Sequence, residues 1–565
     1  MAIFFTVFLN VARIGIELES ATELIKILLQ SAFKQDLSST GLSKVRTWIA
    51  ISVLYSLNKG LMNTIALAFI VIFSTSLRAQ PHDLCTSLFN PILDTDVLES
   101  RSKIPKTQSL DSTGQTKINP VLYEDLASTI ENNAIDFKKI LLGFENETGA
   151  QYEIQQVLQT LRGVRAHELN DLENSEGIQN VAVYGSTNIP LYTLILHAVI
   201  PASTGAQVWF RTPQGTRAVY VRLFELLQAK HSSFPWDKIH LLTEKRDVQY
   251  DNFRKMYVLG LNLNGTRFLR NPSEVVLFTG NPKTGDEILA ANKKKIKELM
   301  ASGAAKDLNS KQIFLKFGSG LNPVVITASA QGDVLQQAVV GTVTAVRINS
   351  SQDCIAPKVY FVHSDAKANY FQILMEKLNS LRFGSNSDPT ADYGPITFTE
   401  NFSKLNAFRE KYKRFLINQN AVIDPITKQV DPHVFVIPFS EFKNMELTDH
   451  FAPFLVHVTF SNDAEFSMIA TDKRVSDRAM FASVYATPSS KDLVVAKTLF
   501  EDSLHLTIIN QSVFADENGN IPFGGFSENA SSVTKFLIQN LKLFESTSVR
   551  PLLFSAEVHR SFPKN

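Results

Sequence analysis

Through the first sixty residues apolar side chains recur at helical spacing among charged neighbours, as at Ile14, Leu18, Leu24, Ile27 and Leu28. Residues 61–77 are nearly uncharged, and their apolar run is densest from Ile65 to Phe73. That length is the lower edge for a membrane-spanning helix, which takes about 17–25 residues. Lys59 precedes the run and Arg78, Ala79 and Gln80 follow it, so it is also similar to a signal-peptide core, with Met62 as an alternative start. Leu77 stands where a cleavage site prefers a small residue, which leaves signal, anchor and plain hydrophobic helix open. From 100 to 119 the chain turns polar, with Pro105 and a Ser/Thr/Gly/Gln-rich stretch, and reads as a linker. The folded body is expected from about residue 120.

In that body helical and strand patterns alternate. Residues 123–161 are helix-periodic, 180–184 form a short apolar strand, and 191–199 a helix. A strand at 206–210 and a helix at 218–227 follow, then strand candidates at 239–242, 256–261, 274–278, 312–317 and 324–327. Short apolar runs separated by helices indicate parallel β-α-β units and an α/β fold. Residues 291–311, with Lys293, Lys294, Lys295 and Lys297, read as a solvated helix whose cations face water. Near the end, 550–558 is an apolar, strand-like run.

Composition narrows the chemistry. The 565 residues predict two to four domains. With 44% apolar and 20% charged residues, the chain is neither largely disordered nor collagenous nor a polytopic membrane protein. Fifty-six Lys and Arg against 55 acids give a net charge of +1, so no global field favours nucleic acid. Two cysteines, Cys85 and Cys354, exclude a disulfide framework and a multi-cysteine zinc site. HExxH, GxxxxGK[ST] and G-x-S-x-G motifs are absent, and the eleven histidines make no metal or triad spacing. No metal is therefore expected. Gly318-Ser319-Gly320 follows a strand, but Pro323 replaces the third glycine of the dinucleotide fingerprint.

Nine short segments, in order, resemble the aldehyde dehydrogenase superfamily. They are Asn188-Ile189-Pro190-Leu191; Val208-Trp209-Phe210-Arg211-Thr212-Pro213-Gln214; Phe278-Thr279-Gly280-Asn281 with Gly285; and Ser319-Gly320-Leu321-Asn322-Pro323. Asn349-Ser350-Ser351-Gln352-Asp353-Cys354, then Gly384 through Gly394-Pro395, Pro432-His433-Val434, Asp449-His450-Phe451-Ala452-Pro453 and Asn520 through Gly525 complete the series. The resemblance implies a Rossmann-type cofactor domain at 106–325 and a second α/β catalytic domain at 326–525. Before them lies an N-terminal extension at 1–105, and after them a tail at 526–565 with an oligomerisation strand.

By the same resemblance Cys354 is the nucleophile that attacks an aldehyde carbonyl, and Asn188 helps to hold the resulting oxyanion. NAD or NADP is implied, with Arg211, Gln214, Thr279, Gly280, Gly285, Asp449 and Phe451 as cofactor-binding positions. Cys85 receives no role. Several positions depart from the family pattern. The glutamate that activates water aligns with Phe317, beside Lys316, and its loss slows hydrolytic deacylation by about 10²–10⁴-fold. Ser351 replaces a glycine, Arg211 a lysine, Gln214 and Asp449 a glutamate each, and Ala452 a glycine. A neutral Gln214 removes repulsion towards a 2′-phosphate. The first expectation is thus an NAD(P)-dependent oxidoreductase that converts a small-molecule aldehyde to a carboxylic acid through a thioester on Cys354. The alternatives are acyl transfer to or from coenzyme A, and a non-catalytic homologue that binds or supports. A homodimer or homotetramer is implied as well. The compartment is cytoplasmic for a family-typical enzyme, or exported or membrane-anchored through 61–77.

Overall fold

The computed structural model describes residues 120–163 and 177–562, apart from 306–307, 319, 489, 502–505, 516, 518, 521–522 and 526–529. The apolar segment 61–77 and Cys85 lie outside the described residues. Among the described residues no helix is long and apolar enough to cross a membrane.

Three helices open the body: α1 (Pro120–Asn132), α2 (Ala134–Leu141) and α3 (Glu147–Gly163). The single periodic stretch 123–161 is interrupted at Asn133, which leaves helical geometry, and again before α3. There the Asn146 side chain accepts the Gly149 N–H at 3.0 Å, meeting a donor that the helix start leaves unpaired. The first sheet follows, with β1 (Asn180–Tyr184), β2 (Gln207–Arg211), β3 (Ile239–Leu242), β4 (Val275–Thr279) and β5 (Ser310–Phe317). Helix α4 (Pro190–Leu194) runs on through a π turn into Ile200–Ser203, and α5 (Arg217–Lys230) and α6 (Pro282–Ala301) complete the crossovers. These five strands are parallel in the order β5-β4-β1-β2-β3. The order reverses between β1 and β4, so the carboxyl ends Tyr184 and Thr279 flank a crevice of the kind that binds ligands in such sheets. Side chains such as Val181, Val183 and Leu277 pack on the α1–α5 side, and Ala182, Val276 and Phe278 on the α6 side. Both faces are covered, which explains the unbroken apolar runs.

The second sheet has the order β10-β11-β7-β6-β12-β13 and is parallel throughout. Its strands β6 (Pro323–Ile326) and β7 (Val359–His363) are joined through α7 (Gly332–Arg347). After the small hairpin β8 (Ile423–Asp424) and β9 (Gln429–Val430) come β10 (His433–Pro438), β11 (Phe454–Phe460), β12 (Phe481–Tyr485) and β13 (Leu506–Ile509). The chain then returns to the first sheet. β14 (Ser531–Gln539) pairs antiparallel with β5, and β15 (Lys542–Val549) forms the outer edge.

Three sequence expectations need correction. Residues 256–261 are not a strand, because Arg254–Val258 is a π-helical turn that buries Val258 against the first sheet. The solvated helix is α6 and ends at Ala301, while Ser310 and Lys311 open β5. Residues 550–558 are not a strand either, because they run into a helix, Phe554–Ser561, whose Val558 and Phe562 side packs into the core.

Candidate active site

Residues 318–322 join the carboxyl end of β5, an inner strand of the first sheet, to the amino end of β6, an inner strand of the second. Asn322, just before β6, ties this link together. Its amide donates to the Ile355 carbonyl at 2.8 Å, and its side-chain oxygen accepts the N–H groups of Met480 and Phe481 at 2.9 and 3.2 Å. Gly320 passes so close that a Cβ there would stand 3.2 Å from the Cys354 carbonyl oxygen, which only glycine avoids.

Between α7 and Cys354 the backbone takes three consecutive left-handed residues, Asn349, Ser350 and Ser351, with φ of 44°, 53° and 59°. Non-glycine residues adopt this conformation at a cost of about 1–3 kcal/mol each, so surrounding bonds must hold it. Ser350 Oγ donates to the Gly394 carbonyl at 2.9 Å and accepts the Gly394 N–H at 2.8 Å. Ser351 Oγ donates to the Ala345 carbonyl at 2.8 Å. The Gln352 side chain accepts the Thr397 N–H at 2.6 Å and donates to the Asn349 carbonyl at 3.1 Å. Asn146 reaches in from α3, donating to the carbonyls of Arg347 and Asp392 and accepting the Asn349 N–H. The polar run that marks this segment in the sequence is what fixes the turn.

Cys354 is buried in a cluster with Tyr152, Ile355, Met480, Phe481, Val513 and Phe514. Burial pushes its thiol well above the ordinary range, and the carboxylates of Asp353, Glu517 and Asp449 push it further. The neighbouring Asp353 carboxylate, whose charge raises the thiol most after burial, accepts the Ile355 N–H at 3.0 Å. Lys358 is the local cation. Fully buried, its ammonium donates to the Ser351 carbonyl at 2.5 Å and stands 3.6 Å from Asp449 and 5.4 Å from the Phe451 ring. Burial pushes Lys358 down and Asp449 up, while the attraction between them favours both charged forms.

A second carboxylate group lines the α3 side. Glu517 accepts the Tyr152 hydroxyl at 2.5 Å and a bond from Gln156, and burial raises it to about 8. Glu153 accepts the Tyr192 N–H at 2.9 Å and is raised to about 7 by burial, and Glu145 beside it is raised further. None of Asp353, Lys358 or Glu517 was singled out as a functional position by the sequence pattern. The acid immediately before Cys354 and a lysine four residues after it were the available signals; Glu517 had none.

Asn188 follows β1, buried, and its Nδ2 finds no partner among the described residues. Phe317 ends β5 with its ring stacked on His197 at 5.6 Å and edge-on to Phe523 at 5.8 Å. Of the expected cofactor positions, Asp449 and Phe451 lie at the Lys358 side of the thiol. Thr279, Gly280 and Gly285 form the turn from β4 into α6, where the buried Thr279 hydroxyl lacks a partner among the described residues and the Gly280 N–H meets the Phe317 carbonyl at 3.0 Å. A Cβ on Gly285 would reach 2.8 Å from Lys316 and 3.0 Å from Phe278. Gln214 is exposed beyond β2. Arg211 is turned inward, donating to the Val248 carbonyl at 2.6 Å and lying 3.9 Å from the Tyr250 ring, which itself stacks on Tyr184. Among the described residues no group of three or more His, Cys, Asp or Glu side chains is arranged to hold a metal ion.

A family model described as the aldehyde dehydrogenase family matches residues 176–539. The chain belongs to the aldehyde dehydrogenase family. It is 30% identical over 131 residues to a succinate-semialdehyde dehydrogenase [NADP(+)] of Mycobacterium avium (strain 104), covering 23% of this chain and 24% of that protein. It is 23% identical over 300 residues to the putative aldehyde dehydrogenase AldY of Bacillus subtilis (strain 168), covering 53% and 56%. The chain thus spans between a quarter and just over half of these curated relatives. The glyceraldehyde-3-phosphate dehydrogenase GapN of Methanocaldococcus jannaschii, solved with NADP, shares the fold with a TM-score of 0.56 at 17% identity, over 74% of this chain and 89% of that one. Betaine aldehyde dehydrogenase of Staphylococcus aureus does so with a TM-score of 0.56 at 16% identity, over 77% and 84%. As an aldehyde dehydrogenase family member, the chain shares the α/β fold of these solved structures.

Proposed function

We propose that this family member oxidises a small aldehyde to a carboxylic acid, with NAD or NADP as acceptor and Cys354 as nucleophile. The observation that supports this reading is the Asn188 Nδ2, buried just after β1 and unpartnered among the described residues. A buried donor without a partner costs stability, and a developing oxyanion would satisfy it. The Cys354 sulfur bonds to the carbonyl carbon while its proton passes to Asp353, the carboxylate of the adjacent residue, whose charge already acts on the thiol. Asp353 then becomes neutral as the oxygen facing Asn188 becomes negative, so the transfer removes a charge that opposes the oxyanion. The residues at the β1–β4 switch point fit a dinucleotide. Thr279 offers a buried hydroxyl with no other partner among the described residues, and Gly285 lets α6 pack closely on Lys316 and Phe278 of the sheet beside that turn. When bound, nicotinamide supplies a hydride acceptor. Neutral Gln214 would meet the ribose without repelling a 2′-phosphate, whereas Arg211 is already committed to Val248 and Tyr250.

A second reading, acyl transfer to coenzyme A, is favoured by Phe317 in place of the water-activating carboxylate. Both readings require the thiol. Replacing Cys354 with alanine should abolish aldehyde-dependent cofactor reduction across an aldehyde panel, and unchanged turnover would sink the proposal. Running the same assay with and without coenzyme A separates water from thiol as the acyl acceptor.

A further inference from the structure

We propose that Glu517 is the catalytic base that activates water to release the acyl group from Cys354, in the role that Phe317 cannot fill. The inference rests on the thioester reading above. Phe317 is held between His197 and Phe523, so its position offers no proton acceptor. Glu517 is a carboxylate, almost fully buried, on the loop that follows β13. It is fixed from α3 by the Tyr152 hydroxyl at 2.5 Å and by Gln156. Tyr152 packs edge-on against Phe514 at 5.2 Å, in the same cluster as Cys354, and the Glu517 charge acts directly on the Cys354 thiol. Two donors leave a carboxylate with acceptor capacity to spare. The partly buried Phe523 packs against both Phe317 and the Cys354 cluster, so the position of the missing base and the Cys354 cluster are neighbours.

The step balances without another reactant. Glu517 takes a proton from water as the water oxygen bonds to the thioester carbonyl carbon. The C–S bond then breaks, the sulfur leaves with its electron pair, and Glu517 returns the proton to it. The products are a carboxylic acid and the free Cys354 thiol.

The charged and titratable groups facing Glu517 are Asp353, Tyr152, Tyr192 and Cys354. Burial and the Asp353 charge raise its carboxyl to about 8, so the base form gains population as pH rises through that value. The test uses the full chain and 4-nitrophenyl acetate, which acylates a thiol without any cofactor. Wild type should release a burst of 4-nitrophenolate and continue to turn over, at a steady rate that climbs with pH through about 8. Glu517→Gln should give the burst and then stall, with steady release reduced by about 10²–10⁴-fold and the acetyl group retained on Cys354 by mass spectrometry. Continued release by Glu517→Gln at the wild-type rate overturns the proposal. So does a flat wild-type pH profile, which needs no variant to fold, or a wild type that stalls until coenzyme A is added. Cys354→Ala reports separately on the nucleophile. If it bursts like wild type, or if wild type gives no burst, the thioester reading fails and the base falls with it.

Discussion

At Phe317 the side chain is a packing commitment. Its ring stacks on His197 and meets Phe523 edge-on, and aromatic pairs of this kind contribute about 0.5–1.5 kcal/mol beyond the area they bury. Introducing the acid by Phe317→Glu would remove both contacts and place a carboxyl against a histidine whose own pKa burial lowers to about 4. That histidine is neutral at physiological pH and gives the new group no charge to pair with. The expected outcome is a loss of about 3–5 kcal/mol of stability with no gain in acyl hydrolysis. Denaturant unfolding and the 4-nitrophenyl acetate assay together check it. A stable variant with faster hydrolysis would show that the site is still shaped for an acid at this position.

The turn between α7 and Cys354 shows how one element depends on another far away in sequence. Asn146 joins α3 to that turn through four bonds: to the carbonyls of Arg347 and Asp392, and from the N–H groups of Gly149 and Asn349. Asn146→Ala removes all four bonds, two of them to fully buried N–H groups, and should cost about 2–4 kcal/mol. It should also speed alkylation of Cys354 as the left-handed turn loosens, while Asn146→Asp, which keeps the acceptor half, should fall between. Thermal unfolding and thiol-labelling rates measure both, and unchanged labelling would mean the turn holds itself. At this scale legibility differs from element to element. β1 and β4 stand out because strands covered on both faces are nearly continuous apolar runs. The π turn at Arg254–Val258 presents the same short apolar run, which periodicity cannot separate from a strand. β14 was hidden for the opposite reason. It is almost wholly buried yet begins Ser531-Ser532-Val533-Thr534, its hydroxyls satisfied by the Arg550 carbonyl and Thr547. In the site, Cys354 and Asn188 sit in local motifs, so order along the chain reveals them. Glu517 meets Tyr152 only after 365 residues of separation close up in space, and no local spacing encodes that.

Over the whole molecule the buried ionisable groups set opposing demands on pH. His197 and His433 are held neutral with pKa values lowered to about 4, and His450 and His457 to about 3, by burial. Unfolding returns them to about 6.5, so between those values the unfolded chain binds more protons. Their contribution is complete above about pH 6.5 and is lost as pH falls towards 4. Glu153 and Glu517 run the other way, raised to about 7 and about 8. Their stability is complete below the unfolded glutamate value of about 4.3 and is lost as pH rises through 7 and 8. A tenfold change in proton affinity between the folded and unfolded chain corresponds to about 1.4 kcal/mol, so neither flank is small beside a net stability of about 5–15 kcal/mol. The unfolding midpoint should therefore peak between about pH 6 and 7 and fall on both sides. Glu517→Gln removes one of the raised carboxyls, which also include Glu145 and Asp449, and should make the alkaline flank shallower while leaving the acid flank in place. Denaturant titrations from about pH 4 to 9 on both proteins measure this, and an alkaline flank of equal slope in the variant would show that Glu517 is ionised in the folded state near neutrality. The same proton thus links the stability of the fold to the chemistry proposed for Glu517: the pH that makes Glu517 a base is the pH at which the stability lost by burying its carboxyl reaches its full extent.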